Sequence, residues 1–266
     1  MNKKINAAYK TRKNWLFIVL TGIFLINALV AEIIGAKIFS LEALLSLPPA
    51  QISFLGDITL DFNLTAGVLI WPVVFVTTDL INEYFGNKAV KKISFLGAIL
   101  ILYAFAAIWT TTKLPPAQFW IDVNKVGNES FNINYSFSRV FQQGLNIIVG
   151  SMVAFILSQL LDASVFNYLK KRANGKFLWL RATGSTIISQ FIDSFVVLFI
   201  AFYLLAGSHK WSLNQVISVG LLNYMYKFTI AVLLTPLLYL FHDIIDKYLK
   251  KESITELVEE TVSQED

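Results

Sequence analysis

An all-α polytopic membrane protein with about six transmembrane helices and both termini cytoplasmic is what three observations predict. Of 266 residues, 56% are apolar and 15% charged, with a mean hydropathy of +0.60; soluble domains are roughly 45–50% apolar and about 25% charged. The apolar residues gather into runs near the roughly 20 residues that a helix needs to cross a hydrocarbon layer about 30 Å thick. Lysine and arginine fall in clusters at alternate connections, the pattern of positive charge retained on the cytoplasmic side.

The runs place spans near 15 to 38, 62 to 85, 93 to 112, 140 to 162, 178 to 206 and 214 to 242. Lys3, Lys4, Lys10, Arg12 and Lys13 precede the first. A signal peptide would have an apolar core of roughly 7–15 residues. Here the stretch runs from Trp15 to Ile34 with no small-x-small site after it, so it reads as a retained helix. Lys88, Lys91 and Lys92 follow the second span, Lys170, Lys171, Arg172 and Lys176 the fourth, and Lys247, Lys250 and Lys251 the sixth. The chain thus divides into a basic cytoplasmic segment 1–14, a transmembrane domain 15–246 and a charged cytoplasmic tail 247–266. The longest linker, 113 to 139, carries Pro115, Pro116, Trp120 and Tyr135, which either cover an entrance or lie on the headgroups.

Cysteine is absent and histidine is limited to His209 and His242, which excludes disulfides, thiolate metal sites and a cysteine nucleophile. No metal and no cofactor is expected. The net charge of +4 is spent on topology, so nucleic acid is not a partner.

Ionisable side chains inside a bilayer cost about 2.5–3.5 kcal/mol on insertion scales and so mark partners, pathways or sites. The second span ends with Asp79, Asn82 and Glu83 on one face, Glu83 near enough to the inner interface to snorkel, and Pro72 is placed to kink it. The fifth span carries Arg181, Ser185, Ser189 and Asp193 at intervals of four, with Gln190 beside them, the spacing of a buried polar stripe. The sixth carries Asn223, Tyr224 and Lys227. Lys227 lies too deep to snorkel and needs an anion, for which Asp193 is the best candidate by depth. Asn27 and Glu32 lie in the first span; Gln142, Gln143, Asn146, Ser158, Gln159 and Asp162 lie in the fourth, with Asp162 near the water boundary. Ser158-Gln159-Leu160-Leu161-Asp162 is echoed by Ser189-Gln190-Phe191-Ile192-Asp193 in the next span, either a trace of the internal symmetry common in transporters or a coincidence. With Trp71, Phe75, Phe191 and Tyr224, this inventory suits a small planar polar ligand, stacked on its faces and hydrogen-bonded at its edges. It suits a channel poorly, because no ring of like charges is evident. An intramembrane enzyme using Asp79 and Asp193 would call for a GxGD-type motif, which is absent, and no Walker motif is present. The chain is therefore not expected to be an enzyme.

The segments VVFVTTDLINEYFG (73 to 86), SQLLDASVFNYLKKR (158 to 172), WLRATGSTIISQFIDSFVVLFIAF (179 to 202) and LLNYMYKFTIAVLLTPLLYL (221 to 240), in that order, resemble the queuosine precursor transporter family, which is related to vitamin-uptake carriers. The resemblance implies an importer of 7-deazaguanines, such as 7-cyano-7-deazaguanine or 7-aminomethyl-7-deazaguanine, in the bacterial cytoplasmic membrane, supplying queuosine synthesis for tRNA. Carried onto matching positions, it points to Asp79, Gln159, Asp162, Asn167, Ser185, Asp193, Tyr224 and Lys227. Asp193 or Asp79 would accept from the guanidine-like edge of the base, and Gln159 or Gln190 would meet its carbonyl. The partners implied are the small-molecule substrate and the lipid bilayer, with a homodimer admitted. The alternative is a substrate-binding membrane subunit driven by a separate ATPase module.

Overall fold

The computed structural model describes residues 2–54, 58–123, 131–173, 177–206 and 210–249. Helix α1 (Asn2–Ile34) is followed by two antiparallel ribbons, β1 (Ile38–Ser40) with β4 (Asn63–Thr65), and β2 (Ile52–Phe54) with β3 (Ile58–Leu60), around the single turn α2 (Leu41–Leu44). A 3₁₀ turn, Ala66–Leu69, leads into α3 (Trp71–Phe85), and then α4 (Asn87–Thr111), α5 (Gln118–Val123), α6 (Ile133–Arg172), α7 (Leu178–Leu198), α8 (Leu213–Leu233) and α9 (Thr235–Leu249). Helix α7 runs on as a π-helix, Phe199–Leu204.

Five helices among the described residues are long and apolar enough to cross a membrane: Tyr9–Ile34, Asn87–Thr111, Ile133–Arg172, Leu178–Leu204 and Leu213–Leu233. Their outward faces are apolar. On α4, Phe95, Ile99, Leu102 and Tyr103 are exposed while Ser94, Ala98, Ile101 and Phe105 are buried, two opposite stripes at helical spacing. Such a surface would be a liability in water and is satisfied by lipid.

Two expected spans take a different form. The run 62 to 85 yields only 15 helical residues in α3, about 22 Å at roughly 1.5 Å per residue. Pro72 does not kink that helix; it sits in its first turn, where the missing N–H costs nothing. The run 214 to 242 is cut at Leu234, because Pro236 in the first turn of α9 has no N–H to continue the ladder of α8. The basic segment 1–14 is continuous with α1 from Asn2, while residues 250–266 of the tail, like His209, lie outside the described residues.

Helix α3 is the centre of the bundle. Val74, Val76, Thr77, Thr78, Asp79, Leu80, Ile81 and Asn82 are all buried, so it is enclosed on most sides by protein. Its start lies against the end of α1, where a Cβ on Gly67 would come within 2.6 Å of the Ala31 carbonyl oxygen. Its end lies against the middle of α1, with the Phe17 and Phe85 rings 4.9 Å apart. Gly86, at φ 79°, turns the chain sharply into α4, a conformation that only glycine adopts without strain.

The outer ribbon segment closes on one carboxylate. Glu42, 6% exposed, accepts from the Phe62 backbone N–H at 2.6 Å and from Ser40 Oγ at 2.9 Å. Those bonds, the Phe62 amide foremost, hold its carboxyl below the usual glutamate range.

Candidate functional site

Spacing puts Asp79 and Glu83 one turn apart on α3, and each meets a different environment. Glu83 is not a snorkelling side chain. Its two oxygens take the Arg181 guanidinium in a forked contact, Nε at 3.0 Å and the second nitrogen at 3.0 Å, while Lys170 approaches at 2.9 Å and also donates to the Glu83 carbonyl at 2.9 Å. A planar fork on a carboxylate is the strong form of such a pair. It ties α3, α6 and α7 together.

Beside it, Asn82 and Asn87 donate to the Ala163 carbonyl oxygen at 3.3 Å and 3.1 Å, and Asn167 donates to Asn82 Oδ1 at 3.4 Å and to the same carbonyl at 3.2 Å. Asn167 is thus part of a bracket between α3 and α6. Asp162 is enclosed by protein, 6% exposed. It accepts from Ser189 at 3.2 Å and Thr186 at 3.4 Å, while Ser185, one turn before Ser189, donates to the Ala182 carbonyl at 3.0 Å.

Asp79 stands apart. It is 6% exposed, and its Oδ1 has no hydrogen-bond partner among the described residues, although buried carboxylate oxygens are normally satisfied. It lines a cleft of ≈ 270 Å³ with Phe75, Thr183, Thr186, Leu234 and Thr235 among the walls.

A second cleft, ≈ 200 Å³, is lined by Trp71, Phe75, Phe155, Ser158, Gln159, Gln190 and Asp193. Phe75 belongs to both. The Trp71 and Phe75 rings lie stacked, centroids 6.0 Å apart at 20°, and Phe155 tilts against Trp71 at 6.0 Å. Gln159 and Gln190 are buried at 3% and 4% exposure, with Thr78 within 3.4 Å of Gln159 Oε1. Both volumes include open space at the cleft mouths, and the enclosed part of each is no more than about 20 Å³, room for about one water, so a ligand the size of a base would need the helices around α3 to part.

Asp193 and Lys227 form the expected ion pair, α7 to α8. They do so because the stripe on α7 drifts: steps of four residues advance about 40° each, so Asp193 faces α8 while Arg181 and Ser189 face α3 and α6. Glu32 on α1 accepts from Ser151 on α6 at 2.7 Å and lies within electrostatic reach of Asp193 and Lys227.

Of the residues expected at a site, Gln159, Gln190 and Asp193 share the Trp71 cleft and Asp79 lines the other. Asp162 and Ser185 stand behind the Asp79 cleft. Tyr224 meets Phe191 edge-on at 5.2 Å and lines neither cleft, nor do Trp120, which packs on Phe137, and Tyr135. The echoed pentads face each other: Ser189 of the second bonds Asp162 of the first, and Gln159 and Gln190 share a cleft. Sequence reasoning missed the Glu83–Arg181 fork and the Glu32–Ser151 contact; Arg181 on an otherwise hydroxyl-rich stripe was the available signal for the first.

Apolar helices enclosing charged and carboxamide side chains around a short, buried central helix describe a polytopic membrane protein with a polar interior. Residues 65–241 match the profile of the family described as "Putative vitamin uptake transporter", and the chain belongs to that family of transporters, which are not enzymes. Similar proteins are a "Probable queuosine precursor transporter" of Bacillus subtilis, 27% identical over 67% of this chain and 72% of the relative, and one of the same name from Haemophilus influenzae, 29% identical over 65% and 66%. The "Queuosine precursor transporter" of Escherichia coli is 26% identical over 65% of this chain and 70% of its own. No solved structure matches the chain. The chain is a multi-pass protein of the bacterial cytoplasmic membrane. A second copy as partner has no support in the fold or the relatives.

Proposed function

We propose that the chain imports a 7-deazaguanine precursor of queuosine, the 7-cyano or 7-aminomethyl form or a related base, through the two clefts beside α3. The observation that carries this is the Trp71 cleft, in which stacked aromatic faces meet two carboxamides and a carboxylate. A flat base with a guanidine-like N–H edge and a ring carbonyl is complementary to that set: the rings cover its faces, Asp193 accepts from the N–H edge, and Gln159 or Gln190 donates to the carbonyl. Asp79, with its unpartnered oxygen, is a second acceptor reached across Phe75. The names of the relatives from three bacteria point to the same cargo.

The proposed path crosses the bilayer with six segments, α3 counting as a short one, and leaves both termini cytoplasmic. Arg12, near the start of α1, donates to the Tyr248 backbone carbonyl at the end of α9 at 3.3 Å, which puts both ends of the described chain at one end of the bundle. That contact supports an even number of crossings.

Uptake of labelled 7-deazaguanine into proteoliposomes holding the purified chain alone, with and without a proton gradient, tests the reading. Saturable uptake that Asp193→Asn abolishes at equal reconstitution is expected. Uptake that needs a co-reconstituted ATPase module would favour the substrate-binding-subunit alternative, and unchanged uptake by Asp193→Asn would remove Asp193 from the site.

A further inference from the structure

The ionisable groups on and behind each cleft include one carboxylate more than cations. Asp79 from α3 lines the first; behind it lie Glu83 from α3, Asp162 and Lys170 from α6, and Arg181 from α7, three acids against two bases. Asp79 lies within electrostatic reach of Asp162, Arg181 and Glu83. The wall from α8 and α9, Ala231, Leu234, Thr235 and Leu238, adds no charge. Asp193 from α7 lines the Trp71 cleft, its partner Lys227 from α8 lies behind it, and Glu32 from α1 is within electrostatic reach of both, two acids against one base. There α3 and α6 contribute only Trp71, Phe75, Phe155, Ser158 and Gln159, with Ser151 on Glu32. These counts are of the described residues.

An uncompensated charge in a low-dielectric interior is costly, and the group then takes up a proton or a counter-ion. The Glu83 carboxylate is engaged by both Arg181 and Lys170, whereas Asp162 is held by hydroxyl groups. Asp79 keeps a buried oxygen without a hydrogen-bond partner on a residue that lines the cleft. That oxygen marks where a donor belongs.

We propose that the carried ligand is a monocation, a 7-deazaguanine with a protonated amine rather than a neutral nitrile, and that each cleft holds one proton when that cation is absent. This rests on the 7-deazaguanine reading above. When the ammonium group arrives, the carboxylic acid of the occupied cleft gives its proton to solvent: one positive charge enters, one leaves, and the cleft stays neutral. As the ligand passes Phe75 the same exchange occurs at the second cleft.

Calorimetric titration of the full chain in nanodiscs with 7-aminomethyl- and 7-cyano-7-deazaguanine, at pH 7 in two buffers of different protonation enthalpy, reads both halves of the proposal. The amine should bind at least about tenfold tighter and release close to one proton per ligand; the nitrile should release none. Glu32→Gln, which removes the excess acid of the Trp71 cleft, should narrow the ratio between the two ligands. Equal or tighter binding of the nitrile, or amine binding without proton release, overturns the proposal while leaving the 7-deazaguanine reading intact. Binding of neither ligand overturns both.

Discussion

Glu83 shows how much of the fold can hang on one side chain. Its carboxylate answers two cations from two other helices, and Arg181 is 3% exposed. Glu83→Gln would leave that guanidinium without its forked acceptor, a loss of roughly 3–5 kcal/mol for a broken buried pair, read as a marked fall in Tm of the purified protein. Glu42 makes a separate prediction outside the membrane. Its carboxyl is held below the usual range by the Phe62 amide. Its contribution is therefore complete above the ordinary glutamate range near pH 4.5 and is lost as pH falls through the lowered value. A fall in amide-exchange protection of the β1–β4 ribbon on acidification, measured relative to the intrinsic rate at each pH and already present at neutral pH in Glu42→Gln, is the expected outcome. At this scale the sequence was partly legible. Depth alone matched Lys227 with Asp193, because two opposite charges in lipid have few choices. It could not tell that Glu83 meets Arg181, since that depends on the rotation of α7 relative to α3, and no spacing within one helix encodes it.

Among the elements, the long apolar helices α1, α4, α6 and α7 were readable from length, and α3 was not. An apolar run of helical length spells hydrophobicity, and the half of 62 to 70 that forms strand and 3₁₀ turn is as apolar as the helix that follows. What sets the boundary is tertiary: β4 pairs with β1, and Gly67 lets the chain pass against the Ala31 carbonyl. Gly67→Ala would force that contact open from 2.6 Å and shift the start of α3, an overpacking cost of typically 1–3 kcal/mol. It should lower Tm and, because Trp71 and Phe75 move with α3, weaken ligand binding as well. The break between α8 and α9 was visible in Pro236, yet the unbroken hydropathy on both sides of it masked the signal.

The whole molecule is a set of apolar helices that encloses two small clefts along one short helix, with charges arranged so that the interior is neutral only when occupied by a cation or a proton. Its orientation is directly testable because the native chain has no cysteine. Single cysteines introduced as Lys4→Cys and Ser263→Cys should resist a membrane-impermeant maleimide in intact cells, and Ser53→Cys should react; the opposite pattern would reverse the topology. The basic clusters already pointed that way from sequence, since retention of positive charge needs no knowledge of packing. The site itself needed the fold, because Trp71, Gln159, Gln190 and Asp193 come from three helices. The most direct test of the account is a thermal-shift titration of the purified chain with 7-aminomethyl-7-deazaguanine. A saturable rise in Tm that adenine does not produce and Asp193→Asn abolishes is predicted, and the absence of any shift at millimolar ligand would contradict it.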